Sequence, residues 1–517
     1  GGPSYSMLEA ARRIKNLDGM PEVEECSASQ FMHKLEEIQD DLPVYDGELY
    51  LELHRGTLTQ MHDIKRKNRK TEFALRDMEY FNVLSKKGMH EMADKWIKIL
   101  LKNQFHDILP GSHIAPVYRD AMADYEEIDA RLNKIIGSGE KYFNSLNFPR
   151  RHLTFIEDEN GKSIRYGKQG NWVIPNLEPL SCGEIPWRTY AGEWCEIGNK
   201  IVTPFYEIEF EYDGSIKSLY DKELDREWTN GEFNKLKFYK DNPGVYDAWD
   251  ILPNYKDREV EVKIISPLKT IEKNSEVASF ECILGTDKST WKRIIRVFRQ
   301  SRGIEVENIV DWHENHVLAK AQFDCNVLTR KAVCDTSAGF VERETHRNTT
   351  WQQARFEVCH HKWVDMAETD GGIAIINDSK YGVGLLENSM SLSLLRATVR
   401  PDVTSDRGHH EFAYMIYPHA DDFVKAEINN IAYEYNVPLG KADLTCENSF
   451  GELYMQTMKM SEQGNMIVIR LSEQNGRRGK IKLGGKVKLL NFLEDVIEET
   501  DTVEYKPFEI ITIGIGT

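Results

Sequence analysis

No stretch of this chain approaches the ~18 uninterrupted apolar residues that a membrane-spanning helix needs. Even the run from Leu392 to Val399 is broken by Arg396. The chain also lacks a glycine-rich phosphate loop, a GxSxG nucleophile elbow and any CxxC pair, so nothing in it points to nucleotide chemistry, serine hydrolysis or a thiolate metal site. Basic residues are the minority sign, 66 against 84 acidic, giving a formal charge of −18. Such a field repels phosphate backbones and anionic headgroups, which argues against nucleic-acid and membrane-surface partners, whereas neutral sugars are indifferent to it. Eight cysteines are scattered at 26, 182, 195, 282, 325, 334, 359 and 446. That pattern predicts reduced, mostly buried thiols and a reducing compartment, the cytoplasm.

What is present reads as globular. A length of 517 residues suits three or four domains, and 40% hydrophobic with 10% aromatic residues is enough for packed cores. Nothing at the start resembles a secretory signal. The opening GGPSYSM lacks a methionine at its head and reads as the end of a loop running into a helix, as though the chain began inside a domain.

The hydrophobic period divides the chain. Residues 1–45 read as helix, short strand, Ser-rich turn and helix, the tail of an α/β domain. Between 46 and 140 the spacing is helical, with Gly-free stretches at Met61–Lys87, Met89–Asn103 and Ala115–Ile136 whose only proline is Pro116 in the first turn of the third, which predicts an antiparallel three-helix bundle. Its charged faces, KRKNRKTE and DYEEIDARLNK, read as solvated surface. After about 140, alternating runs such as YEIEFEYD, GIEVENIVDW and MIVIRLSE are separated by turn pairs. They predict a large antiparallel β-sandwich region over 141–430 and a smaller β domain over 431–517. The fold class is thus multidomain α+β.

The stretch Leu100–Ile114, LLKNQFHDILPGSHI, places His106 beside Asp107 just past a helix whose buried face would carry Trp96, Ile99, Leu100 and Asn103. Pro110-Gly111 ends it. An imidazole and a carboxylate at a helix terminus can interact with the helix dipole and shape a turn, or can be presented to a cleft. The pair alone does not choose between these.

The longer string does. NQFHDILPGS, preceded by GELYLELHRGTLTQMHDIKRKNRK, resembles the family 38 glycoside hydrolases, the α-mannosidases, above all the bacterial ones. The strings YDGSIKSLYDKELDRE, NKLKFYKDNPGVYDAWDI, RFEVCHHKWVDMAE, INDSKYGV, LSLLRATVRPD and DRGHHEFAYMIYPH resemble its β-region signatures in the family's order. The resemblance implies that His106 is a ligand of a catalytic zinc ion and that Asp107 hydrogen-bonds the bound mannose. It also places His54 at the cleft wall, where some members carry Trp. The family's other zinc ligands, its nucleophilic Asp and its acid/base Asp belong to an N-terminal α/β domain, and none of their motifs is matched here. The expectation is therefore part of a zinc-dependent retaining α-mannosidase acting on mannose-containing oligosaccharides, inactive without that N-terminal catalytic domain.

Further candidates come from residue chemistry. Tyr246 to Ile251, YDAWDI, sets aromatic rings between carboxylates after Asn242-Pro243-Gly244, and a sugar's C–H face and vicinal hydroxyls suit Tyr246 and Asp250. The same residues would equally start a strand with Trp249 in the core. His360-His361, His409-His410 and His419-Ala420-Asp421 invite a zinc reading, but on strands neighbours face opposite sides, so all three read as structural. Two other readings stay open: a non-catalytic carbohydrate-binding or structural β-sandwich fragment, and a helical bundle that docks a partner, a homo-oligomer included.

Overall fold

The computed structural model of the chain describes residues 2–85, 88–136, 139–185, 194–443 and 450–516. Lys87 in the first helical connection and Cys446 lie outside the described residues. The chain forms two compact units, residues 1–50 and 51–517. In the first, α1 (Tyr5–Ile14) and α2 (Ala28–Glu36) start at Ser4 and Ser27, and Gln30 and Ser27 satisfy each other's backbone in a capping box. No residue of either helix is buried. The strand expected in PEVEE is absent, because no described strand lies alongside it to complete a ladder.

In the second unit the three helices fall where the spacing put them: α3 (His62–Ser85), α4 (His90–Asn103) and α5 (Ala115–Ile136). Their shared core contains Ile64, Leu75, Met78, Trp96, Tyr125 and Ile128. The expected face of α4 is buried, with Trp96 at 1% and Asn103 at 1% exposure.

The charged stretch KRKNRKTE is not solvated surface. Lys65, Asn68, Arg69 and Thr71 are buried, because their polar ends are spent on backbone that the helix packs against. Arg69 donates to Asn377 O and Oδ1 at 3.3 and 3.0 Å, to His361 O at 3.1 Å and to the Tyr381 hydroxyl at 3.1 Å. Arg76 donates to Ser145 O at 2.9 Å and Met455 O at 3.3 Å. A buried cation is costly unless each donor is matched, and these donors are.

The β region is a sandwich. A nine-stranded antiparallel sheet runs from Lys263–Lys273 at one edge to Gly339–Glu344 at the other, with Ile304–Trp312 and Gly408–Ala420 adjacent at its centre. It faces a six-stranded sheet centred on Thr229–Lys240, Val317–Cys325 and Ser389–Arg396. Rings interlock between them, Phe238 against Trp291 and Trp312, and Phe323 against Tyr414. A five-stranded sheet closes the C-terminal end, and its core includes Tyr80, Phe81 and Val83 from α3. A boundary at 430 would cut the helix Ile428–Asn436, which packs on Trp363 and Ile376 of the large sheet.

Cys282, Cys325 and Cys334 are buried as expected, whereas Cys26 and Cys195 are exposed. No described helix is long and apolar enough to cross a membrane.

Replacing Arg69 by Met keeps the stem but leaves the carbonyls of Asn377 and His361 without this donor. We expect a loss of about 3 kcal/mol in unfolding free energy, read from the denaturant midpoint at constant m-value.

Candidate active-site loops

His106 and Asp107 sit in a chain of turns between α4 and α5, and the structure anchors these turns from below. Lys65 of α3 donates through its ammonium to Gln60 O at 2.5 Å, Leu109 O at 2.9 Å and Pro110 O at 3.1 Å. Burial pushes this lysine down to about 7, against the raising influence of Asp406. Gly111 adopts φ +85°, and a Cβ there would lie 2.7 Å from Gln60 O. Glycine is therefore required twice over, by conformation and by approach. Ser112 donates to Asp107 Oδ1 at 2.8 Å, and its backbone N–H reaches Asp107 O at 3.1 Å.

The backbone is tied down while the functional ends face outward. The His106 side chain is 75% exposed and that of Asp107 44%, with Nε2 and Oδ2 3.5 Å apart. The Phe105 ring lies tilted beside His106, centroids 4.2 Å apart, and is itself exposed.

The second group of candidates meets the same segment of chain. Residues Glu52–Leu58 form a 3-10 turn distorted at His54. Gly56 N–H donates to Trp249 O at 2.9 Å, and a Cβ on Gly56 would lie 2.8 Å from Ala248 O. Arg55 donates to both oxygens of Asp250 at 3.1 and 3.2 Å, and to Ala354 O at 2.9 Å, with its guanidinium 4.5 Å from the Phe356 ring. Asp250 Oδ1 also accepts from Ile251 N–H at 2.9 Å. The YDAWDI stretch is thus a loop, not a strand, and Trp249 is only half-buried. Tyr246 is 65% exposed and meets Trp249 edge-on. His54 is half-buried, and its Nδ1 is enclosed without a hydrogen-bond partner among the described residues.

Residues 54–61 therefore hold both groups: Arg55 and Gly56 grip the 246–251 loop, and Gln60 and Met61 back the 105–113 turns. The structure brings His54 to the loop of Tyr246 and Asp250, and of these Asp250 is the one already engaged, by Arg55.

Sequence reasoning missed the residues behind this surface. Asp406 caps α3 from outside the bundle, accepting from Met61 N–H and His62 N–H at 2.7 Å each. Arg396 joins Asp241 to the carbonyl of Asp250. Asp247 accepts from the N–H groups of Val399 and Arg400. A signal existed for α3 alone: Lys65 and Asn68 fall within the apolar stripe set by Ile64, Leu75 and Met78, where a polar residue must find a buried partner.

Of the three histidine clusters, His410 lies within reach of His62 and Asp63, and the donor atoms of all three are within 4.8 Å of one another. The hydrogen bonds leave no imidazole lone pair for a metal. His410 Nε2 faces Asp406 O at 2.8 Å and Nδ1 faces Asp63 Oδ1 at 3.2 Å, so both ring nitrogens donate and the ring is cationic. Burial would lower its pKa, but the Asp63 hydrogen bond and charge outweigh it and raise it. His62 Nδ1 accepts from Lys380 at 2.9 Å, which puts its proton on Nε2 toward Glu411 O. Burial and then the Lys380 charge hold His62 well below its ordinary value. His419 pairs with Asp365 at 2.9 Å and not with Asp421. His360 Nε2 accepts from the Asn377 amide at 3.0 Å, and burial keeps it neutral.

These shifts set a pH dependence. His62, His360 and His361 have folded pKa values below the unfolded 6.5, His361 at about 3 through burial and then Arg69. The unfolded chain binds more protons below 6.5, so their stabilisation is lost as pH falls from 6.5. His410 and His419 are raised, so theirs is full below 6.5 and lost as pH rises through the folded value. Stability should fall steeply between pH 6.5 and 4.5, and His361→Gln should reduce the slope by about 1.4 kcal/mol per pH unit, measured by denaturation at several pH values. Separately, Gly111→Ala should cost about 1–3 kcal/mol by the same assay, through a left-handed alanine pressed on Gln60.

Three family profiles match the chain: "Alpha mannosidase middle domain" at residues 52–142, "Glycosyl hydrolases family 38 C-terminal domain" at 201–404 and "Glycosyl hydrolases family 38 C-terminal beta sandwich domain" at 452–513. Alpha-mannosidase 2C1 of Mus musculus is 30% identical over 92% of this chain and 50% of its own length. An alpha-mannosidase of Saccharomyces cerevisiae is 27% identical over 99% of this chain and 51% of its own. The chain spans about half the length of the curated relatives it matches. In fold it is similar to the crystal structure of an alpha-mannosidase from Enterococcus faecalis V583, with a TM-score of 0.73 at 14% identity, over 94% of this chain and 72% of that one.

Proposed function

Since the chain belongs to glycoside hydrolase family 38, we propose that it is part of a zinc-dependent, retaining α-mannosidase that removes terminal α-linked mannose from oligosaccharides. The observation that carries this reading is the contrast at the NQFHDILPGS turns: a backbone fixed by Lys65, Gly111 and Ser112, and a His106–Asp107 pair left open above it. Side chains serving only the fold gain nothing from such exposure, whereas a ligand and a hydroxyl-binding carboxylate need it.

The donor set fits one corner of a zinc site. His106 makes no polar contact closer than 3.5 Å among the described residues, so its imidazole is available. A zinc ion held by His106 would need further ligands, and these would come with the nucleophilic and acid/base carboxylates from an N-terminal α/β domain. When bound, zinc acts as a Lewis acid toward sugar hydroxyls. The chain's own contribution is to orient the ring. Asp107, with Oδ1 fixed by Ser112, accepts from a mannose hydroxyl through its outer lone pairs. Tyr246 offers a face for the sugar's C–H groups, and His54, whose Nδ1 is enclosed, belongs to the turn that grips that loop. Asp250 acts mainly by holding Arg55, which keeps that loop against the 3-10 turn. The pair of carboxyls that cleaves with retention, about 5 Å apart, lies outside this chain, so the chain alone is inactive. Scattered thiols agree with a cytoplasmic protein.

In the longer protein, His106→Ala should release zinc and lower hydrolysis of an aryl α-mannoside by at least about a hundredfold. A variant that keeps both its zinc and its rate sinks the assignment of His106. This chain by itself, with added zinc, should show no turnover.

A further inference from the structure

A cleft of about 460 Å³ opens on the β region, well within the size range of ligand pockets. None of its lining residues belongs to the loops at 52–61, 105–113 or 242–251. One wall is the small sheet Thr154–Glu157, Ser163–Arg165 and Lys168–Val173. The other is the turn Asn274–Glu276 at the edge of the nine-stranded sheet, together with Gln300.

The lining chemistry is selective. Asn160, Asn171, Asn176, Asn274 and Gln300 all line it; Asn171, Asn274 and Gln300 are bonded within the walls, and the amides of Asn160 and Asn176 each offer a donor and an acceptor. A ligand matched to that set must itself both donate and accept, as hydroxyls do. An anion offers only acceptors, and the carboxylate of Glu276 in the wall opposes one. A cation offers only donors, and Lys162 and Arg151 oppose it. Arg151 is paired with Glu178, so the cleft presents no concentrated charge of either sign.

Three of the amides build the walls, Gln300 by donating to Glu276, and two are open. Asn171 accepts from Lys162 N–H at 3.0 Å, and Asn274 accepts from Glu276 and Val277 N–H at 2.8 and 3.0 Å. These bonds fix the cleft before any ligand arrives, which lowers the ordering cost of binding. The side chain of Asn160 makes no hydrogen bond among the described residues, and that of Asn176 reaches only Ile174 O at 3.5 Å. Val173 and Ile174 provide apolar surface between them.

We infer that this cleft is a second, non-catalytic binding site for a neutral saccharide, holding a part of a glycan away from the His106 turns. It stands whether or not His106 holds zinc.

The test is titration of this chain in EDTA with mannotriose and with chitobiose, by calorimetry, beside inorganic phosphate. Saturable binding of either sugar is expected. The double variant Asn160→Ala, Asn176→Gly should weaken it at least about tenfold while leaving the melting temperature unchanged, since Asn160 is exposed and Gly accepts the φ of +49° at 176. A second variant, Ser275→Trp, should abolish binding by filling the cleft. The inference is overturned by no saturable binding of either sugar up to about 10 mM, by an affinity that both variants leave unchanged, or by phosphate binding in place of sugar.

Discussion

The rest of the structure depends on the basic side chains that α3 turns inward. Lys65, Arg69 and Arg76 lie four and seven residues apart, so they share a face of the helix. Each reaches backbone from a different part of the chain: the NQFHDILPGS turns, the large sheet near Asn377, and the join between residue 145 and the C-terminal sheet. Hydrophobic burial would hold these parts together but would not fix their register. Charge-assisted bonds to single carbonyls do, because their geometry is narrow. The turns carrying His106 are therefore positioned by a helix that holds none of the residues they present.

This arrangement separates what is rigid from what is exposed. The segment 54–61 touches both candidate loops through backbone hydrogen bonds and close glycine contacts, leaving side chains such as Tyr246 and His106 free at the surface. A loop with few tertiary bonds would spread those groups over several positions. Here the polar groups are set before any ligand binds, which lowers the ordering cost of recognition.

Much of this was legible in the sequence. The helical periods gave the three helices nearly to the residue, and alternation with turn pairs gave the sandwich. His106 and Asp107 were singled out by motif alone, since composition could not separate them from an ordinary helix end. The inner support was not legible, for a physical reason: Asp406 as a cap for His62, or Arg396 as the link between Asp241 and Asp250, are meetings of residues far apart in the chain, and no local period encodes them. The solvated reading of KRKNRKTE failed because charge predicts exposure only where no buried carbonyl is waiting. The strand read in PEVEE failed for the complementary reason, since a strand exists only with a neighbour.

The cap on α3 bears on how the molecule comes to be folded. Asp406 and the N–H groups it receives are separated by 345 and 344 positions in sequence. Contacts of that range form late, after the loop between them has been closed. The first turn of α3, and with it the seat of the NQFHDILPGS turns, is thus completed only once the centre of the sandwich exists. A nascent or truncated chain ending before residue 406 would have the bundle's helical sequence and its motif, but not this anchorage for the helix start.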